Sequence, residues 1–432
     1  MCSINELILY RDFTGNRIFF NLAWLIERHS DSDLHKDDAI ARYCGSLQEL
    51  VELAESHGFS GSLWHTFLAY LLVNNENAYS RACEIRGEAD GTVSRIALHD
   101  FAILKKLFDF DFSVLEQSIG ITGAAFLTDY QAASGQNGER KLFHVRIRDR
   151  ILELAAQLNA ASDAREFGHA VTAFYRDFGV GKLGLHKAFR VEHTKKGVQI
   201  VPVTNIAHVT LDDLVGYETA KQKLTANTEA FVRGRQANNC LLFGDAGTGK
   251  STSIKAIANR YYADGLRMIE VYKHQFEDLH AVIAQIKNRN YKFIIYMDDL
   301  SFEDFEVEYK YLKAVIEGGL EKKPENVLIY ATSNRRHLIR EKFSDKAQLD
   351  DDLHNNDTVQ EKLSLAARFG VQIYFGAPDK KEFERIVTTL AAQNGIAMEE
   401  KELLLEANKW ELGHGGRSGR SAQQFINYLL GK

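Results

Sequence analysis

The fold class that the sequence predicts is an α/β unit with a parallel sheet, lying behind a mainly helical N-terminal domain. Three observations predict it. A short apolar run, Cys240 to Phe243, leads into Gly244, Asp245, Ala246, Gly247, Thr248, Gly249, Lys250, Ser251 and Thr252, and then into helical spacing. A second apolar run, Phe293 to Met297, ends in the acidic pair Asp298-Asp299. The three prolines, Pro202, Pro324 and Pro378, all lie in the second part of the chain, and the apolar positions before them recur at helical intervals.

At 432 residues the chain is too long for a single ordinary core. The first part carries Ile18, Leu22, Leu25 and Ile26, then Leu47, Leu50, Val51 and Leu53, then Ile151, Leu154, Ala155 and Leu158. This spacing predicts a helical domain over residues 1–178, with Trp24 and Trp64 as core residues, since aromatics at helical spacing usually pack inward. Gly179-Val-Gly181-Lys-Leu-Gly184 matches a dinucleotide fingerprint by letter, but it follows a helical pattern rather than a strand. Residues 179–205 therefore read as a flexible junction with short strands at 188–192 and 198–203.

The glycine-rich stretch is a G-x-x-x-x-G-K-S phosphate loop in the required setting, strand before and helix after. Its glycines let successive N–H groups point inward at phosphate oxygens. Lys250 reaches the transferred phosphate, Ser251 offers a hydroxyl to Mg²⁺, and the following helix adds its dipole. The residues define a nucleoside triphosphate site with Mg²⁺ as the expected metal.

The remaining elements add to that site in chain order. A helix over 218–231 precedes the phosphate-loop strand, and a strand at 268–271 precedes a helix over 276–287. The strand ending at Asp298 puts its carboxylate at the carboxyl edge of the sheet, where Mg²⁺ needs an anchor, and Asp299 would orient or deprotonate the attacking water. The strand 326–331 ends in Thr332-Ser333-Asn334. Asn334 fits a γ-phosphate sensor, and in isolation it reads equally as a turn residue. Arg368 follows a helical pattern and is either a helix-end cation or a group that reaches a neighbouring subunit's nucleotide. After the strand 371–375, Pro378 opens a helical tail over 377–432. The core is then 206–376.

Net charge is −6, which excludes a broadly basic nucleic-acid coat. The four cysteines show neither C-x-x-C nor zinc spacing, and the longest apolar run, Phe67 to Val73, falls short of the roughly 20 residues that span a bilayer. The N-terminus lacks a signal-peptide pattern. The expectation is a cytoplasmic protein with no membrane contact.

Leu-Val-Gly-Tyr217, the phosphate loop, Asp298-Asp299, Ser333-Asn334, Arg368-Phe-Gly and Gly419-Arg420 stand in the order typical of AAA+ ATPases, which the chain resembles. More narrowly, Asp-Asp-Leu-Ser-Phe-Glu303, Ala314-Val-Ile-Glu-Gly-Gly319, Tyr330-Ala-Thr-Ser-Asn-Arg-Arg-His-Leu338 and Gly415-Gly-Arg-Ser-Gly-Arg420 resemble a bacterial family of AAA+ ATPases catalogued as domain of unknown function 815. The resemblance covers 179–432. It implies a five-stranded parallel sheet in the order 5-1-4-3-2, a helical lid, and ATP bound between subunits of a homo-oligomeric ring or filament. It also implies that Asn334 is sensor 1, Arg368 the arginine finger and Arg420 (or else Arg417) the sensor 2 arginine, with Gly216 and Tyr217 near the adenine.

Two departures bear on mechanism. Most AAA+ proteins carry Asp-Glu where this chain has Asp298-Asp299. The shorter side chain withdraws the carboxylate by about 1.5 Å, so slow hydrolysis is expected; Glu303 is the alternative base. Tyr272-Lys-His-Gln275 leads into a helix without the aromatic-apolar-glycine loop of polypeptide-threading rings. The basic cluster Arg335, Arg336 and His337 reads as an interface or phosphate contact rather than a DNA groove. The expected function is ATP hydrolysis that remodels or loads a protein or nucleic-acid partner held by the N-terminal domain. The alternative is an ATP-dependent assembly switch with little turnover. A small-molecule kinase would not need Asn334, Arg368 or the lid.

Overall fold

Residues Met1–Leu185 and His186–Lys432 form two separate compact units. The structure, a computed structural model, describes residues 3–431 apart from 32–33, 133–144, 196, 204–205, 303–305, 307, 318–323, 335–337 and 339–364.

In the first unit the regular elements among the described residues are helices. The helix Arg17–Arg28 shows why. Its Phe19, Leu22, Ala23, Leu25 and Ile26 fall on one face and are buried, and the Asn16 side chain accepts from the Phe19 N–H at its start. The helix Ala164–Phe178 is built alike, with Asp163 as cap and Phe167, Val171, Phe174 and Tyr175 inward. Trp64 is core, its indole N–H donating to the Leu107 carbonyl at 2.7 Å. Trp24 is not fully core: it is half-buried, with the Arg28 and Arg42 guanidinium groups 4.6 and 4.9 Å from its ring.

The stretch 179–184, read from the sequence as a junction, has its own local structure. It holds the short helix Gly181–Leu185, whose Leu183 and Leu185 are buried along with Val180, and the Val180 N–H donates to the Glu84 carboxylate at 3.0 Å. Packing of Val180 and Leu185 into the apolar core ties the segment to the first unit.

The second unit contains β1 (Ala188–Thr194), β2 (Gly197–Pro202), β3 (Cys240–Gly244), β4 (Leu266–Glu270), β5 (Lys292–Met297), β6 (Val327–Ser333) and β7 (Val371–Phe375). They form one sheet in the order β2-β1-β4-β5-β6-β3-β7. Among the described residues the expected five strands in the order 5-1-4-3-2 are thereby corrected to seven, with β1 and β2 added beyond β4. The added strands are those read as a junction: β1 and β2 pair as an antiparallel hairpin, and β1 runs parallel to β4 with Ala188 opposite Met268. The physical reason is edge protection. Without β1, β4 would expose a row of unpaired N–H and C=O groups. The other neighbours, β4–β5, β5–β6, β6–β3 and β3–β7, are parallel.

Every residue of β6, and Phe293 to Met297 of β5, is buried, as befits central strands of a parallel sheet covered on both faces. One face packs Ile294, Tyr296 and Tyr330 in a cluster with Leu224 of the helix Glu218–Val232 and with Ile254 and Ile257 of the helix Lys250–Tyr261. After β4 the chain passes at once into a 3₁₀ turn, Lys273–Asp278, and the helix Leu279–Ile286. The helices Lys380–Gln393, Glu400–Gly413 and Gly419–Leu430 enclose a separate apolar cluster around Phe383, Val387, Phe425 and Ile426. Among the described residues no helix is long and apolar enough to cross a membrane.

Gly244, at the end of β3, has φ 134°, and a Cβ there would lie 2.1 Å from the Phe375 carbonyl oxygen of β7. Gly244→Ala is expected to cost about 2–4 kcal/mol through this clash and the positive φ. Urea unfolding measures it, and a loss below about 1 kcal/mol would contradict the close strand contact.

Candidate functional site

The phosphate loop is shaped by its own backbone and by β7. Past Gly244, the Asp245 N–H donates to the Phe375 carbonyl at 2.9 Å, and the Asp245 carboxylate accepts from the Ala377 N–H at 2.7 Å. Thr248 Oγ1 donates to the Asp245 carbonyl at 2.8 Å, closing the loop on itself. Gly249, with φ 92°, starts the helix Lys250–Tyr261; a Cβ there would sit 2.2 Å from Leu214 Cδ1. Only glycine fits both that backbone and that contact.

Lys250 lies inside the curl, its side chain almost fully buried. Its Nζ donates to the carbonyls of Gly244 and Asp245 at 2.9 and 2.6 Å and to Asn334 Oδ1 at 2.9 Å. Burial lowers its pKa, while the charges of Asp245, Asp299 and Asp298 oppose that shift.

The carboxyl ends of β5 and β6 complete the site. Asp298 Oδ1 accepts from Ser251 Oγ and from Thr332 Oγ1, each at 2.6 Å. Thr332 Oγ1 also accepts from the Asp299 N–H at 2.9 Å, and Asn334 Nδ2 donates to Asp299 Oδ1 at 2.8 Å. Burial would raise the pKa of Asp298. The hydroxyls of Ser251, Thr332 and Tyr296, with Lys255, outweigh it and hold the carboxyl below its ordinary value. Asp299 has φ 50°, in the left-handed region, where aspartate is among the few side chains at ease.

Above these groups is a cavity of about 580 Å³. Its lining includes Ala246 to Thr252, Asp298, Asp299, Thr332 and Asn334, together with Tyr217, Leu214, Ile386 and Gln424. The Tyr217 hydroxyl donates to the Gly376 carbonyl at 2.9 Å, while Gly216 lies against Glu382 of the helix Lys380–Gln393 rather than in the lining. Arg420 lines the cavity, and its backbone N–H donates to the Gly247 carbonyl at 3.1 Å. Arg417 is outside the lining, its Nε donating to Glu411 at 3.1 Å. Arg368 is also outside it and is ion-paired with Glu317. Glu303 and the cluster Arg335, Arg336 and His337 fall outside the described residues.

Thr332 joins Asp298 to Asp299, a role that sequence reading did not assign to it. The signal was present, because Thr332 is a polar residue near the carboxyl end of β6, two positions before Asn334. The polar groups also suit Mg²⁺. Ser251 and Asp298 offer hard oxygens at the mouth of the phosphate loop, the one-or-two-ligand arrangement that leaves the other positions to phosphates and water.

A phosphate loop between β3 and its helix, an acidic pair at the end of β5, a polar tip on β6 and three C-terminal helices around their own apolar cluster define a unit of the AAA+ class. The chain belongs to the family described as "Protein of unknown function (DUF815)", whose profile matches residues 184–432. Over 58 residues, 13% of this chain, it is 40% identical to the replication factor C large subunit of Methanococcus vannielii. It spans only 12% of that relative's length. Among solved structures, a mutant of Thermotoga maritima RuvB matches 50% of this chain and 64% of its own, with 18% identity and a TM-score of 0.36. The FIGL-1 AAA domain in complex with ADP matches 52% and 74%, with 16% identity and a TM-score of 0.36.

Proposed function

We propose that this protein binds ATP with Mg²⁺ in the cavity above β3, β5 and β6 and hydrolyses it slowly at a subunit interface, to remodel or load a partner. The observation that carries this reading is the convergence of Lys250, Ser251, Asp298, Asp299 and Asn334 at one edge of the sheet. In it, Lys250 gives up its carbonyl partners to hold the β- and γ-phosphates, and Ser251 and Asp298 hold the magnesium ion. A bound Mg²⁺ supplies charge neutralisation at the phosphates. Asp299 takes the proton of the attacking water, oriented by Asn334. Leu214, Tyr217 and Ile386 enclose the adenine, and Arg420 brings the lid's charge to the phosphates. Arg368 acts on the nucleotide of a neighbouring copy. Residues 1–178 recognise the partner.

A second reading, an ATP-dependent assembly switch with little turnover, is favoured by the short acidic side chain at 299. Steady-state turnover, measured with and without candidate partners, separates the two.

The test of the site is Lys250→Ala. Removing its charge-assisted bonds to phosphate is expected to weaken ATP binding by about 10- to 100-fold or more in calorimetry, with an unchanged far-ultraviolet spectrum. Unaltered affinity would overturn the assignment.

A further inference from the structure

The chain between the sheet and the C-terminal helices is short. β7 ends at Phe375 and the helix Lys380–Gln393 starts after its cap, Asp379, so only residues 376–379 join them. The second half of this joint is stiff. Proline at 378 restricts Ala377 to extended backbone, and the Asp379 carboxylate accepts from the Glu382 N–H at 2.8 Å. The direction of the helix is therefore set at Gly376 and Ala377, and both are gripped. The Tyr217 hydroxyl donates to the Gly376 carbonyl at 2.9 Å, and the Ala377 N–H donates to Asp245 Oδ2 at 2.7 Å. The Asp245 N–H also donates to the Phe375 carbonyl, at 2.9 Å.

Asp245 belongs to the phosphate loop by position, yet the cavity lining includes Ala246 to Thr252 and not Asp245. A carboxylate in a loop that cradles phosphates works against the charge of the ligand. That fits a duty to the joint rather than to the phosphates. The joint leads into the helix that brings Ile386 and Leu390 to the cavity.

We propose that Asp245 is a positioning residue for the nucleoside half of the ligand. Its carboxylate pins Ala377, and so holds Ile386 and Leu390 where they enclose the base. Without that bond the joint is free to turn at Gly376, and the helix must be ordered at the expense of binding. The Asp245 carbonyl also accepts from Lys250 Nζ at 2.6 Å. An effect of Asp245 through the loop itself would therefore appear with any polyphosphate, whereas an effect through the joint appears only with a ligand that carries a base.

This rests on the reading that the cavity takes a magnesium nucleotide, and the experiment separates the two. A non-hydrolysable ATP analogue and inorganic tripolyphosphate, each with Mg²⁺, are titrated by calorimetry into the full chain, Asp245→Ala and Asp245→Asn. Asp245 is exposed, so neither substitution opens a core. The parent is expected to prefer the analogue, and Asp245→Ala to lose about tenfold of that preference, the scale of one charged hydrogen bond. Its affinity for tripolyphosphate should be equal or higher. Asp245→Asn loses the same charge but keeps an oxygen for the Ala377 N–H, and should retain most of the preference. An unchanged preference in Asp245→Ala overturns the proposal, as does an equal loss of both ligands, which would place the effect on the loop. An Asp245→Asn chain as deficient as Asp245→Ala assigns the effect to charge and overturns it too. A parent that binds both ligands equally overturns this proposal and leaves the phosphate site standing. A parent that binds neither overturns both.

Discussion

Arg368→Ala is expected to bind ATP with parental affinity and to hydrolyse it about 10³- to 10⁵-fold more slowly, the scale of an arginine that stabilises transition-state charge in phosphoryl transfer. Arg368 lies outside the cavity of its own chain and pairs with Glu317 at the end of the helix Glu308–Glu317. Any action on a phosphate group is therefore expected on another copy. Hydrolysis per subunit should rise with protein concentration. Mixing Arg368→Ala with Lys250→Ala should restore activity above either variant alone, because the first supplies an intact phosphate loop and the second an intact arginine. A mixture no more active than its components, from a chain that sediments as a monomer in ATP, would return Arg368 to a helix-end cation paired with Glu317.

Asp299→Asn should retain nucleotide and lose about 10²- to 10⁴-fold in turnover, the usual contribution of a general base. The substitution suits the backbone: asparagine tolerates the φ of 50° as aspartate does, and its amide oxygen still accepts from Asn334 Nδ2. The variant therefore tests chemistry rather than folding. Turnover at the parental rate would move the base elsewhere, with Glu303 as the first residue to substitute. Asp299→Glu is informative in the other direction. It restores about 1.5 Å of reach but puts a longer side chain on a left-handed backbone. A faster enzyme would show that the acidic pair holds hydrolysis back; a slower one would show that the backbone at 299 demands aspartate.

Much of the second unit was legible because its signals are local. The apolar runs that became β3, β5 and most of β6 are short and continuous, as buried parallel strands are, while β7 alternates, with Gln372 and Tyr374 exposed, as an edge strand does. The β1–β2 hairpin was legible as strands but not as part of the sheet. Pairing of Ala188 with Met268 joins segments 80 residues apart, and no periodicity reports it. The packing of Val180 and Leu185 in the apolar core was likewise not legible among the glycines of residues 179–184. Trp24 was half right, because helical spacing shows which side of a helix faces inward but not that Arg28 and Arg42 lie over the ring at its margin.

The sequence by itself determined the phosphate loop and the acidic pair. A glycine at 244 and 249, a lysine at 250, a hydroxyl at 251 and carboxylates after a buried strand are requirements of neighbouring backbone and charge, and contiguous residues carry them. What only the tertiary structure decided was how those pieces meet. It placed Thr332 between Asp298 and Asp299, brought Arg420 rather than Arg417 to the cavity and turned Arg368 toward Glu317. The reason is physical. Each of these depends on which side chains from distant strands and helices share a few ångströms of space, and packing, not any local preference of the chain, sets that.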